Sequence, residues 1–184
     1  MVIKQNVITM VSIRPVTETD KTELHNLTRN NVERLLDFFP ITIEKTETIE
    51  KTVGAIQLYK MLESQKELHV MVVQREGEGK LLGLVFLKNI DHKVNKCEIA
   101  YFIDKDEEGK NLTTEAVLRA IDMAFNQFNM NKIYCRVATD NAGSNKIATK
   151  TGFELEGVLK QEYRIHNGTL IDLNYYGLLK ENYN

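Results

Sequence analysis

Three groups of residues in this 184-residue chain have the types and spacing to do chemistry. The first is the stretch DEEGKNLTTEA, residues 106–116, in which three acidic residues run into Gly109, Lys110, Asn111 and two threonines where an amphipathic helix begins. A glycine followed by small polar residues at a helix start leaves backbone N–H groups pointing outward, a geometry that cradles anions. The same residues also make an ordinary helix start, because carboxylates favour the positive end of the helix dipole. The second group is Asn141, Ser144 and Asn145 at the head of NAGSNKIATKTGF. A serine hydroxyl there can hydrogen-bond an anionic leaving group, and Asn141 or Ser144 equally suits a helix cap. The third comprises Glu98, on one strand face with Ala100 and Phe102, and the pair Glu162 and Tyr163, which regular strand alternation puts on opposite faces. A carboxylate in such a place is either a proton acceptor or half of a cross-strand ion pair. His25, His69, His92 and His166 are scattered, which favours exposed or capping roles over catalysis.

Elements must bring these groups together. Ile8 to Pro15 reads as a first strand, Leu24, Leu27, Leu35 and Leu36 as a helix ended by the run Phe38-Phe39-Pro40, and Ile49, Val53, Ile56, Tyr59 and Leu62 as a second helix. From Leu68 the period changes to that of strands: LHVMVVQR, LLGLVFL and CEIAYFI form a meander, its first turn made by EGEGK. Val117, Ala120, Ile121, Ala124, Phe125 and Phe128 make one stripe of a helix reaching about Asn129. KIYCRVA, residues 132–138, follows as a strand, so strand-helix-strand connectivity predicts a parallel pair. A short helix then ends at Gly152, and Asn167-Gly168 predicts a two-residue hairpin between two last strands. The expected fold class is α+β: a mixed, mostly antiparallel sheet of about seven strands flanked by helices, one domain over residues 1–184, with one parallel β-α-β crossover. A sheet that changes from antiparallel to parallel at a glycine-bearing turn opens a crevice at its strand ends.

Composition narrows the partners. With 24 Lys+Arg against 26 Asp+Glu the net charge is −2, which suggests no nucleic-acid surface. No apolar run approaches the length that spans a bilayer, and the N-terminal residues lack a secretion pattern, so a cytoplasmic location is expected. Cys97 and Cys135, far apart and outside any CxxC motif, predict neither a zinc site nor a disulfide framework, and no metal is expected.

In this order, YFIDKDEEGKNLTTEAV, NAGSNKIATKTGFELEGVLKQ and HNGTLIDLNYYGLL resemble the GNAT superfamily of acetyl-CoA-dependent N-acetyltransferases, more narrowly the RimL and RimJ type that acetylates N-terminal amines of ribosomal proteins. The resemblance implies that residues 97–103 and 132–138 splay apart to admit the pantetheine arm, against Ala100, Tyr101, Phe102 and Ile103. It places the pyrophosphate on Glu108, Gly109, Lys110, Asn111, Leu112, Thr113 and Thr114, with Asn141, Ser144 and Asn145 beside the cofactor and Phe38 and Phe39 beside the acceptor. A main-chain N–H near residues 100–102 would polarise the carbonyl, Ser144 would hydrogen-bond the leaving sulfur, and a water chain ending at Glu98 or Tyr163 would take the amine proton. The branch often carries a glutamate two residues beyond the glutamine of its G-x-L-K-Q segment; here Tyr163 stands there, with Glu162 one residue earlier.

Two positions of the phosphate loop depart from the family pattern, Asp106 replacing arginine or glutamine and Asn111 the second glycine. Asn tolerates left-handed geometry and Lys110 supplies compensating charge, so weakened rather than abolished acetyl-CoA binding is expected. The implied activity is acetyl transfer to a primary amine, at best a protein N-terminus, with homodimers common in the branch. The alternatives are a small-amine acceptor (polyamine, amino sugar or antibiotic) and a catalytically impaired CoA-binding module.

Overall fold

The central runs are apolar on both faces because both faces are covered. In the computed structural model, which describes residues 10–183, one seven-stranded sheet has the order β1-β2-β3-β4-β5-β7-β6. Its strands are β1 Val11–Pro15, β2 His69–Arg75, β3 Leu81–Asp91, β4 Lys96–Ile103, β5 Lys132–Ala138, β6 Glu154–Arg164 and β7 Leu170–Leu179. Only β4 and β5 run parallel; the other neighbours are antiparallel. Residues 8 and 9 of the predicted first strand lie outside the described residues.

Helix α5 (Leu112–Asn126) makes the crossover and buries Val117, Ala120, Ile121, Ala124 and Phe125 against Met71, Val85, Ile99 and Ile133. On the other face Val70, Val72, Leu84, Phe86 and Phe102 pack with Leu24, Leu27, Ile56 and Tyr59. Helix α6 (Ala142–Lys150) follows β5.

Ahead of the sheet stand four helices where the spacing predicted two: α1 Lys21–Asn30, α2 Val32–Leu35, α3 Pro40–Lys45 and α4 Ile49–Ser64. The first break is at Asn31, which is buried. Its amide donates to Leu27 O at 2.8 Å and to Asp104 Oδ1 at 3.2 Å, while its Oδ1 accepts the Lys105 N–H. A side chain that bonds main chain in this way competes with helix continuation. Pro40 ends one segment and also begins α3, where its missing N–H is no loss.

The last hairpin is also corrected. Ile165 donates to Thr169 O and Gly168 to Ile165 O, with Gly168 at φ +91°. This is a three-residue loop ending in a left-handed glycine rather than a two-residue one.

Candidate active site

The parallel ladder lasts only three pairs, Lys96↔Lys132, Cys97↔Ile133 and Glu98↔Tyr134. Beyond it β4 stays with β3 as far as Ile103 and β5 with β7 as far as Ala138, so the two strands part. Asp104 donates its N–H to Leu82 O at 2.6 Å. Antiparallel alternation from that bond turns the main-chain groups of Tyr101 and Ile103 into the opening, and those of Ala100 and Phe102 toward β3. Within residues 100–102, Tyr101 is the one whose main-chain groups face the opening.

A cavity of about 460 Å³ occupies the opening. One end is walled by Glu108, Gly109, Thr113, Asn141 and Ser144, the other by Phe38, Phe39, Glu98, Arg136 and Tyr163, with Ala100, Tyr101, Phe102 and Ile103 between them. Of the remaining loop residues, Leu112 and Thr114 are buried and Lys110 and Asn111 bond elsewhere, so none of these four side chains lines the cavity.

At the loop, Gly109 has φ +74° and Asn111 φ +63°, so asparagine does adopt the left-handed conformation just ahead of α5. Its side chain makes no cap bond; instead Asn111 Oδ1 accepts from Lys150 Nζ at 2.6 Å. Two of the three acidic residues, Glu107 and Glu108, are ion-paired within the fold. Glu107 takes Arg75, Lys80 at 3.2 Å and Lys110 at 3.0 Å, and Glu108 pairs with Arg34 of α2. Lys110, followed by Lys80 and Arg75, draws the Glu107 carboxyl down to about 2 against its own burial. Lys110 therefore answers Glu107, and is not the free compensating charge that the sequence suggested.

Asn141 caps α6, its Oδ1 accepting the Ser144 N–H at 3.0 Å. Asn145 is engaged within the fold. Its amide donates to Ala138 O and Asn141 O, and its Oδ1 accepts from Asn174 Nδ2 and Tyr176 Oη, so every polar site is used in joining α6 to β5 and β7. It does not line the cavity. The Tyr101 hydroxyl is different: it is buried and has no hydrogen-bond partner among the described residues. An unpaired buried hydroxyl costs about 1–3 kcal/mol. Burial, then the Cys135 thiol, pushes this phenol up, and the nearby Ser144 hydroxyl opposes the rise without completing a bond.

At the other end Glu98 is buried and ion-paired. It accepts from Arg136 Nε at 3.2 Å, Arg136 Nη2 at 3.1 Å and Asn89 Nδ2 at 2.6 Å, with Lys88 Nζ at 3.8 Å. The Tyr163 hydroxyl donates to Asp37 O at 2.7 Å, its ring stacks on Phe38 at 5.7 Å, and burial followed by the nearby Asp37 charge pushes the phenol up. Phe39 packs on Phe86 and Phe102.

Strand alternation is interrupted just ahead of Glu162. β6 is bulged between Leu159 and Tyr163, with Gln161 at φ +50°, and Glu162 comes within 3.6 Å of Arg136. Sequence reasoning also passed over Arg34, Lys88, Arg136 and Asp37. Arg136 alone carried a usable signal: it lies two residues beyond Tyr134, the β5 partner of Glu98, on the same side of its strand.

Residues 11–154 match the family model described as the acetyltransferase (GNAT) domain. Ribosomal-protein-serine acetyltransferase of Escherichia coli (strain K12) is 26% identical over 178 residues, covering 88% of this chain and 96% of that protein. Spermidine N(1)-acetyltransferase of the same strain is 32% identical over 157 residues, covering 85% and 79%. The crystal structure of ribosomal-protein-S5-alanine acetyltransferase from Vibrio fischeri superposes with a TM-score of 0.87 at 22% identity, covering 96% and 97% of the two chains, and so shares the fold. A split β4–β5 ladder, a left-handed loop ahead of the crossover helix and this match together establish that the chain belongs to the GNAT family and is an N-acetyltransferase that uses acetyl-CoA.

Proposed function

We propose that the acceptor is the N-terminal amine of a protein, as the ribosomal-protein branch implies. The observation that carries this reading is the charge at the acceptor end. Each carboxylate there has a partner in the fold: Glu98 with Arg136 and Lys88, Glu162 with Arg136, and Asp37 with the His166 ring and main-chain N–H. A polycation would find each of these carboxylates already engaged, and polar recognition of that kind favours groups left unpaired until the ligand arrives. A chain terminus brings one amine and a neutral backbone.

Acetyl-CoA supplies the acetyl group as an activated thioester, and the residues divide the remaining tasks. The Tyr101 N–H polarises the carbonyl, since a fixed donor in a water-poor gap stabilises developing negative charge. The amides around Gly109 and the start of α5 hold the pyrophosphate. Ser144 donates to the sulfur. Phe38, Phe39 and Tyr163 guide the acceptor, and the amine proton leaves along water to Glu98. Because burial keeps Tyr163 protonated near neutrality, it acts as a donor rather than as the base.

Release of CoA measured against a panel of ribosomal N-terminal peptides, spermidine and amino sugars tests the reading. Turnover of at least one peptide with kcat/KM tenfold or more above any polyamine is expected; the reverse order replaces it with the polyamine reading, which the similarity to spermidine acetyltransferase favours. CoA binding with no turnover of any amine points to an impaired module.

A further inference from the structure

We propose that Tyr101 is a positioning residue for Ser144: its phenol donates to Ser144 Oγ and so turns the serine's own O–H into the β4–β5 opening, as a donor to the departing sulfur. This rests on the acetyl-CoA reading of the cavity. The Tyr101 hydroxyl is buried and unpaired although it belongs to a residue of the cavity wall, and Ser144 of α6 borders the same cavity. Buried hydroxyls without partners are uncommon, and a shift of the Ser144 side chain toward the Tyr101 phenol would give this one a partner. Cys135 of β5 is the titratable group beside it, and burial pushes that thiol up to about 12. Both neighbours therefore stay neutral and protonated at working pH, so the phenol remains a donor.

Serine alone is a poor hydrogen-bond acid. A serine whose oxygen already accepts a hydrogen bond is polarised and donates more strongly. The reaction forms one N–C bond and breaks the C–S bond, the electron pair passing to sulfur; the proton shed by nitrogen leaves to water, and one reaches sulfur along the Ser144 donor. Tyr101 itself neither gains nor loses a proton overall.

The test uses free CoA and needs no acceptor. The ionisation of the bound thiol is followed by its thiolate ultraviolet absorbance in the unaltered protein, Tyr101→Phe, Ser144→Ala and the double variant. Donors to the charged form lower the thiol pKa, so each single variant should raise it by about one unit, a tenfold change. The double variant should shift it no further than Ser144→Ala alone, since both act through one contact. Tyr101→Phe keeps the ring and the main-chain N–H, so it should still fold and bind CoA, which allows its bound thiol to be titrated. An unshifted thiol in Tyr101→Phe, or additive shifts in the double variant, overturns the positioning role alone. Absence of CoA binding by the unaltered protein overturns the cavity reading as well.

Discussion

At Glu107, three cations hold one carboxylate ionised far below its ordinary range, a condition the folded chain has and the unfolded chain lacks. The carboxyl is shielded by the long side chains of those partners rather than sunk in the core. Its folded pKa is depressed from 4.5 to about 2. The stabilisation is therefore complete above about 4.5 and is lost as pH falls through the folded value. Urea midpoints at pH 6 and pH 3 should show the unaltered protein losing more on acidification than Glu107→Gln; equal losses would mean that the cluster is not coupled to folding. Glu98 makes a different prediction. Glu98→Gln leaves Arg136 without its main partner, so stability should fall by about 1–3 kcal/mol and kcat/KM on the best acceptor by at least tenfold, read by chemical denaturation and initial rates. The Glu98 ion pair was one of two readings open in the sequence, whereas the Glu107 cluster was not legible there, since Asp106 to Glu108 looked only like negative charge at a helix start. Their partners Arg34, Arg75 and Lys80 are brought to the loop from α2, β2 and the turn ahead of β3, and only the tertiary fold sets such distances.

Elements were more legible than partners, and each departure has a local cause. Residues 132–138 form a strand where KIYCRVA alternates and is covered on both sides. The helices before the sheet were undercounted because Asn31 satisfies main-chain groups with its side chain, which no apolar spacing reports. The β6 bulge at Gln161 escaped for a related reason: the Gln161 N–H bonds the Asp172 side chain instead of the ladder. Asn111 was anticipated correctly, since few non-glycine residues accept φ +63°. Asn111→Val should destabilise by about 1–2 kcal/mol and weaken CoA binding, whereas Asn111→Gly should remain within about 1 kcal/mol of the parent; calorimetric titration and thermal melts read both. Gly83 is a stricter case. A Cβ there would sit 2.2 Å from the Phe102 carbonyl oxygen, so Gly83→Ala must displace β4 itself, and soluble yield and CoA affinity should both drop.

For the whole molecule, the two cores lie on opposite sides of one sheet, and the cavity sits where that sheet divides. A ligand that binds only the folded chain shifts its melting point by mass action. Acetyl-CoA at about a hundred times its dissociation constant should add roughly 2.7 kcal/mol of stability, and a scan at rising acetyl-CoA concentration reads it. The overall architecture was legible because apolar period and the order of strands and helices survive in sequence; the division of the sheet was reached through family resemblance, and its extent, three pairs and no more, needed the register.

That register has a consequence for hydrogen exchange. The Tyr101 and Ile103 amides sit in mid-sheet yet have no neighbouring strand to bond, so in the free protein they should exchange with solvent like those of an edge strand, unlike their alternate neighbours on β4. The sheet is in effect one strand short, and an extended amide-bearing arm in the opening would complete it, slowing exchange at those two positions before any chemistry occurs.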